Sequence, residues 1–286
     1  MSDSILGSVL TLHRYPVKSM QGEELDAIAV SKRGLAGDRA YALVDAADGK
    51  VASAKNPRKW GKLFEFRASF VTPPDVGAAP PIVRVTLPDG RTVMSDDPDA
   101  SRVLSEAVGR EARLMATAPE KPTLEMYWSD LEEIAHRETV FTDLEMGAAA
   151  PPGTFFDCAA IHVMTTATLA RLQQLYPQGR FDVRRFRPNM VIETPDGVGF
   201  VENEWVGRVL DVGDDVRLRV IIPCPRCVMT TLPQGDLPAD PGILKTAAQH
   251  NRVHIPVLDQ AMPSVGVYAV VVQGGTVRRG DPMRLE

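Results

Sequence analysis

Cysteine is scarce in this chain. Three occur among 286 residues, at Cys158, Cys224 and Cys227. So few, and an odd number, offer no disulfide framework, and they fall short of the four thiolates an iron–sulfur cluster usually takes. Long apolar runs are also lacking. Stretches such as Val265 to Val272 are far shorter than the roughly 20 residues of a membrane-spanning helix. The opening Met-Ser-Asp-Ser has neither a basic n-region nor an apolar h-region, so no secretory leader, no membrane contact and a cytoplasmic location are expected. Positive charge is not in excess: the formal net charge is −5, which argues against nucleic acid as a general partner. Arg180 to Arg187 is short and broken by Phe181 and Asp182, so it reads as a local anion site at most. No Gly-x-Gly-x-x-Gly follows a strand, and nothing near the five histidines marks a haem site.

What is present is strand, turn and a few helices. Ser8 to Tyr15, Leu25 to Val30, Ala40 to Val44, and Lys50 to Ala54 read as strands. Ile82 to Leu87 and Arg91 to Met94 flank Pro-Asp-Gly and predict a hairpin, because Gly supplies the positive φ of a tight turn. Asp99 to Val108 predicts a helix that stops at Gly109. From about Ala116 to Pro152 the pattern weakens, and Glu125 to Arg137 mixes aromatics and acids; a domain boundary is placed here. Thr165 to Tyr176 predicts an amphipathic helix with Leu169, Leu172 and Tyr176 on one face. Strands are expected again at Asn189 to Glu193, Arg217 to Ile222 and Val267 to Val272. The fold class expected is α+β and strand-dominated, a β-barrel-like domain over residues 1–120 followed by a mixed β-barrel domain over 121–286.

Chemistry concentrates in Pro223-Cys224-Pro225-Arg226-Cys227-Val228-Met229-Thr230-Thr231, placed directly after a strand. Three readings stay open on spacing alone. Zinc needs four ligands, and His250 and His254 would have to complete the pair. A thioredoxin-like dithiol opens a helix, and Thr-Thr-Leu-Pro-Gln-Gly starts one poorly. A single functional cysteine gains from Arg226 beside Cys227, since a neighbouring cation favours the thiolate a metal needs. A second set of residues suggests an anion pocket: Tyr15-Pro16-Val17-Lys18-Ser19, the glycine-rich turn Gly34 to Arg39, and Arg184-Arg185-Phe186-Arg187-Pro188-Asn189. Arginine suits bidentate phosphate recognition and lysine acts as a point charge. Lys55, Arg58 and Lys59 form a separate basic stretch, so the net charge of −5 does not identify a docking face for a partner.

These motifs, with Gly266-Val267-Tyr268 and Val277 to Pro282 after them, occur in an order that resembles the MOSC-domain family with its N-terminal β-barrel domain. Within it the pattern is most similar to the mitochondrial amidoxime-reducing component and its bacterial relatives. The resemblance runs from about Val9 to Met283. It implies a molybdenum cofactor (a molybdopterin carrying Mo), with Cys227 as the metal ligand and Cys224 beside it or merely structural. It implies Lys18, Ser19, Arg39, Arg187, Asn189, Pro225, Arg226 and Tyr268 as cofactor-binding residues, and Asp157, in Phe155-Phe156-Asp157, as a catalytic candidate for proton handling. Pyridoxal phosphate binding is a further family-level expectation. Cys158 departs from the pattern, standing where relatives often have a small hydroxyl residue.

The implied reaction is reduction of N-hydroxylated small molecules: hydroxylamines, amidoximes and N-hydroxylated bases. With no iron–sulfur or nucleotide motif in the chain, electrons are expected from a separate ferredoxin-, flavodoxin- or cytochrome b5-like protein. Two other functions fit the same cysteine: sulfur transfer through a Cys227 persulfide, and carriage of the cofactor without turnover.

Overall fold

A computed structural model describes residues 5–127, 141–256 and 259–286. The strands in chain order are β1 (Ile5–Arg14), β2 (Glu23–Leu25), β3 (Ala27–Ser31), β4 (Gly34–Leu35), β5 (Ala42–Asp45), β6 (Arg67–Phe70), β7 (Val83–Thr86), β8 (Thr92–Met94) and β9 (Ala112–Met115). After them come β10 (Thr123–Tyr127), β11 (Phe141–Glu145), β12 (Ile161–Thr165), β13 (Met190–Glu193), β14 (Val209–Val212), β15 (Val216–Pro225), β16 (Arg252–Ile255), β17 (Gln260–Gln273), β18 (Gly275–Arg278) and β19 (Pro282–Leu285). Among the described residues five α-helices join them: α1 (Pro57–Trp60), α2 (Ala100–Val108), α3 (Thr166–Leu175), α4 (Val183–Phe186) and α5 (Pro241–His250).

Seven strands close on themselves in the order β12, β13, β1, β19, β14, β15, β17, because β17 pairs back onto β12. The β12–β13 pair is parallel and the others are antiparallel, so the barrel is mixed. Closure leaves these strands no open edge. Val9, Leu12, Ile161, Val163, Met190, Ile192, Leu218, Val220 and Val267 fill the barrel as one buried cluster. The alternation of β1 skips a step between Val9 and Thr11, where its register with β13 shifts. A bulge of this kind lets both Val9 and Leu12 face inward. No helix among the described residues is long and apolar enough to cross a membrane.

The segment between β1 and β12 builds the smaller sheets β5-β9, β6-β7-β8 and β10-β11, and supplies β3 and β4 to a sheet completed by β18 from the C-terminal end. Val17, Met20, Leu43, Trp60, Phe66, Val85 and Leu104 form its core. The predicted hairpin is β7–β8, with Leu87 N–H donating to Arg91 C=O at 2.8 Å and Gly90 at φ 85°. Helix α2 ends on left-handed Gly109. Helix α3 is capped by Thr165, whose side chain accepts from Thr168 N–H.

Four expectations change. Lys50 to Ala54 is not a strand, since only the Val44–Val51 bridge forms there. Leu25 to Val30 is split between β2 and β3. The cysteine motif does not follow its strand, because β15 runs on through Pro225 with Pro225 opposite Ser264 of β17. Helix α5 was missed despite a legible start, Asp240 as cap and Pro241 in its first turn, an N-terminal signature of helices. Of the weak stretch Glu125 to Arg137, residues 128–137 lie outside the described residues.

Two glycines give a test of the barrel. Gly266 in β17 has φ +77°, and a Cβ there would meet His162 Nε2 at 2.4 Å and Val163 C=O at 2.6 Å. Gly90 has φ +85° with nothing within 4 Å. Gly90→Ala therefore carries only the left-handed cost, about 1–2 kcal/mol. Gly266→Ala adds overlap with backbone and is expected to cost at least about 3 kcal/mol. Urea midpoints that rank the two the other way would show that β17 does not cross β12 this closely.

Candidate active site

The turns after β1 and β4, the entries to β12 and β13, and the end of β15 meet at one cleft. Two adjoining cavities of about 60 and 80 Å³ share Arg39, Asp157, His162, Arg187, Met229 and Tyr268 as walls. Lys18, Ser19 and Asn189 complete the first; Lys55, Pro225, Arg226 and Cys227 complete the second. Every predicted site residue is thus brought to one place. A larger cavity, about 350 Å³, lies across the Gly34–Arg39 turn and touches the cleft at Arg39. Its volume is greater, but the cleft is where the sulfur, the carboxylate and the cations converge. Small-molecule sites run to roughly 300–1,000 Å³, so a ligand with a ring system must displace side chains here.

The centre of the cationic wall is Tyr15. Its buried ring lies between two guanidiniums, Arg187 at 4.1 Å and Arg39 at 4.4 Å from the ring centre. Such stacking on a ring face is attractive. Asp38 ties the group together: its carboxylate accepts from Tyr15 N–H at 2.8 Å, from Asn189 Nδ2 at 2.8 Å and from Arg39. The Asn189 carbonyl oxygen in turn accepts from His162 N–H at 3.0 Å. Ser19, Arg39 and Arg187 adopt φ of 62°, 47° and 56°. A left-handed backbone in non-glycine residues costs about 1–2 kcal/mol each and persists only where neighbours over-determine it, as it often does at functional sites. Here Arg39 N–H donates to Tyr15 C=O at 2.8 Å and Arg187 N–H to Val183 C=O at 3.0 Å, while Ser19 Oγ accepts from Ala54 N–H at 3.1 Å.

Asp157 is held by two lysines. Lys18 Nζ contacts Oδ1 and also donates to Phe155 C=O at 3.0 Å; Lys55 Nζ lies 3.1 Å from Oδ2. Burial alone would raise the Asp157 pKa, but Lys18 and then Lys55 outweigh it and hold the carboxyl well below the usual range. Burial dominates at Lys18 and pushes its ammonium down to about 8, against the pull of Asp157. Asp157 is therefore an ionised acceptor at neutral pH, not a resting proton donor. Burial, then Arg226, brings His162 down to about 3, so its ring is neutral.

In the cysteine motif, Cys224 is fully buried. Its sulfur accepts from Arg226 Nη1 at 2.8 Å. Burial, then Cys224, pushes the Tyr268 hydroxyl pKa well above its usual value. Arg226 Nη2 donates to Phe186 C=O at 2.7 Å, but its Nε is buried without a partner. Cys227 is half-buried and opens into the cleft, ahead of a 3-10 turn, Val228–Thr231. All three cysteines are free, and burial pushes Cys158 up to about 11. His250 and His254 are both exposed, and no group of three His, Cys, Asp or Glu gathers for a metal among the described residues.

Around the cleft Lys18, Arg39, Lys55, Arg187 and Arg226 bring five positive charges, and Asp38 and Asp157 return two negative ones, an excess of three. Arg184 does not contribute, being paired with Asp182 and Asp236. Arg185 donates to the carbonyls of Arg180, Thr230 and Pro238. Residues the sequence reading left out of the site are Asp38, His162, Met229 and Lys55. Asp38 had a signal, as the middle of Gly-Asp-Arg. Lys55 was grouped with a basic surface stretch, but it turns inward, while Lys59 pairs with Glu125 and Arg58 lies over Tyr127.

A family model for the MOSC domain matches residues 151–284, and one for the MOSC N-terminal beta barrel domain matches residues 6–91. The chain belongs to the MOSC-domain family. The expected division at residue 120 falls in the interval that neither match covers. Among curated relatives, mitochondrial amidoxime reducing component 2 of Rattus norvegicus is 31% identical over 130 residues, 44% of this chain and 37% of that protein. The proteins of the same name from Macaca fascicularis and Bos taurus are 25% and 24% identical, each over 97% of this chain and 83% of theirs. Among solved structures, the YuaD protein from Bacillus subtilis covers 98% of this chain and 94% of its own at a TM-score of 0.46 and 10% identity. YiiM from Geobacillus stearothermophilus covers 45% of this chain and 54% of its own at a TM-score of 0.30 and 20% identity.

Asp157→Asn in this MOSC protein leaves two largely buried lysines without their counter-charge. The cofactor-free protein is expected to lose about 2–4 kcal/mol at pH 7. The sign with pH follows from the depressed carboxyl. The unfolded Asp157 takes up a proton near its ordinary value of 3.8, the folded one only at lower pH. Its stabilisation is thus present above about pH 4 and lost as pH falls below it. Urea titrations at pH 3 to 7 should show a gap between wild type and D157N that narrows on acidification. A gap independent of pH would rule out the double ion pair.

Proposed function

We propose that this protein is a molybdenum-cofactor-dependent reductase of N-hydroxylated small molecules, supplied with electrons by a separate redox protein. The observation that carries the reading is a reachable thiol, Cys227, in a cleft with three uncompensated positive charges and an orphaned donor at Arg226 Nε. An anionic, sulfur-rich cofactor suits that donor set, and a thiolate is a soft ligand for such a metal. The curated relatives named as amidoxime reducing components support the substrate class.

The molybdenum cofactor, when bound, supplies the two-electron reduction. The chain's residues bind, orient and tune it. Lys18, Ser19, Arg39 and Arg187 would hold its anionic groups, and Arg226 Nε would gain the acceptor it lacks. Asn189 acts through Asp38 and His162, holding the turn that carries Arg39. Pro225 and Tyr268, which line the cavity with Cys227, would help hold the cofactor there. Asp157 handles protons as an ionised acceptor paired to Lys18 and Lys55, not as the starting acid. The electron donor is a ferredoxin-, flavodoxin- or cytochrome b5-like protein. A reducing, cytoplasmic compartment suits a function that needs Cys227 unpaired. Sulfur transfer would use the same thiol; the excess of cations beside it favours the cofactor reading. A carrier that passes the cofactor on is separated by turnover.

Three outcomes follow. Cys227→Ser should lose bound molybdenum or its redox signal by metal analysis and electron paramagnetic resonance, because an alkoxide is a harder ligand, while Cys224→Ser retains much of both; the reverse pattern would move the ligand to Cys224. Lys18→Ala, Arg39→Ala and Arg187→Ala should each weaken cofactor retention roughly ten- to a hundredfold, as loss of a charge-assisted bond does; equal occupancy after dialysis would remove these residues from the site. With NADH alone the protein should reduce no hydroxylamine, and reduced viologen or a redox partner should start turnover. Steady NADH oxidation matched to product without either would refute the need for a donor.

A further inference from the structure

Lys55 stands outside every motif that marks the site, yet the fold builds it into the cleft. Its neighbours Ala52 and Ala54 are buried. Its backbone is pinned on both sides: Lys55 N–H donates to Ser53 Oγ at 3.3 Å, and Tyr127 N–H donates to Lys55 C=O at 2.8 Å. The next residue, Asn56, caps α1 by accepting from Lys59 N–H. The side chain is thereby directed at Asp157 Oδ2, 3.1 Å away, in the cavity that also holds Cys227 and Arg226.

The two lysines on Asp157 differ in what they have left to give. Lys18 is 6% exposed and uses donors on both Asp157 and Phe155 C=O. Lys55 is 14% exposed, and among the described residues its ammonium pairs with Asp157 alone. An ammonium carries three donors, so two N–H groups of Lys55 remain, in the cavity that Cys227 also lines. Asp157 fixes the ammonium in place without using it up.

We propose that Lys55 is the substrate-orienting residue of this site: its free N–H groups receive the oxygen of the substrate's N–O bond beside Cys227. The inference rests on the reductase reading above. In R–NH–OH + 2e⁻ + 2H⁺ → R–NH₂ + H₂O the N–O bond breaks, two electrons come from the redox partner and two protons from solvent. Lys55 donates a hydrogen bond to the oxygen that leaves as water and ends the cycle unchanged. An oxygen acceptor on the reducible nitrogen is favoured; a fixed positive charge next to it is opposed by Lys55 and Arg226.

The test has two arms, one independent of the cofactor. In cofactor-free protein, Cys227 is alkylated with iodoacetate and with iodoacetamide at one pH and low salt, and the Cys227 peptide is followed by mass spectrometry. The thiolate fraction cancels in the ratio of the two rates, leaving the local charge. K55M should lower the iodoacetate-to-iodoacetamide ratio roughly three- to tenfold, K55R should keep it within about twofold, and added salt should compress the difference. In cofactor-loaded protein driven by reduced viologen, K55M at unchanged molybdenum content should lower kcat/KM for a hydroxylamine roughly ten- to a hundredfold, with most of the loss restored in K55R. Asp157 keeps Lys18 in both variants, so melting temperatures should stay close to wild type. An unaltered kcat/KM in K55M, or loss of molybdenum from it, overturns the assignment. If wild type holds molybdenum but reduces no N-hydroxylated compound, the reductase reading itself falls and the substrate role with it. The alkylation ratio then still shows whether Lys55 sets the charge at Cys227.

Discussion

The site depends on holding like charges together. Arg39 and Arg187 flank one buried tyrosine ring, and that arrangement repels itself unless something opposes it. Burial, then the charge of Arg39, lowers the Arg187 pKa to about 10. Three things oppose the repulsion: the face of Tyr15, the carboxylate of Asp38, and carbonyls such as that of Met20, which accepts from Arg187 at 2.7 Å. They do not neutralise it. The uncompensated charge leaves the cleft positive, and the hydrogen-bonded backbone around it holds that charge in place.

The same logic explains why the barrel must close as it does. Strand β1 comes from the start of the chain but pairs with β13 and β19 from its second half. Lys18 therefore lands beside Phe155 and Asp157, well over a hundred residues later in the chain. The ion pairs at Asp157 join the segment between β1 and β12 to the entry of β12. A cofactor bound there would be gripped by residues from both family domains, and binding would stabilise their union.

Cys224 and Cys227 illustrate how three residues of separation decide a role. Cys224 still lies in β15, where pairing with β17 buries its sulfur against Arg226 and Tyr268. Cys227 lies just past the strand, where the 3-10 turn begins and the sulfur reaches the cleft. Arg226 links the two, bonding the buried sulfur while its Nε is left for a ligand.

Much of this was legible in sequence because it is local. The β7–β8 hairpin follows from Pro-Asp-Gly, α2 from its terminal glycine, α3 from its threonine cap, and strand-rich character from short alternating runs. The residues of the cleft were named by the family resemblance that the ordered motifs carry, and local constraints such as Pro188 before Asn189 and the glycines before Arg39 lie within those motifs. The split of Leu25 to Val30 and the loss of the Lys50 strand were not legible, because pairing partners distant in the chain decide them. Nor could sequence separate Lys55 from Arg58 and Lys59. All three read as surface cations, and only packing around buried Ala52 and Ala54 turns Lys55 toward Asp157. For the same reason the sequence left open in which protonation state Asp157 rests. A carboxyl's protonation is set by the charges that reach it through space, and both of its lysines come from the far side of the chain.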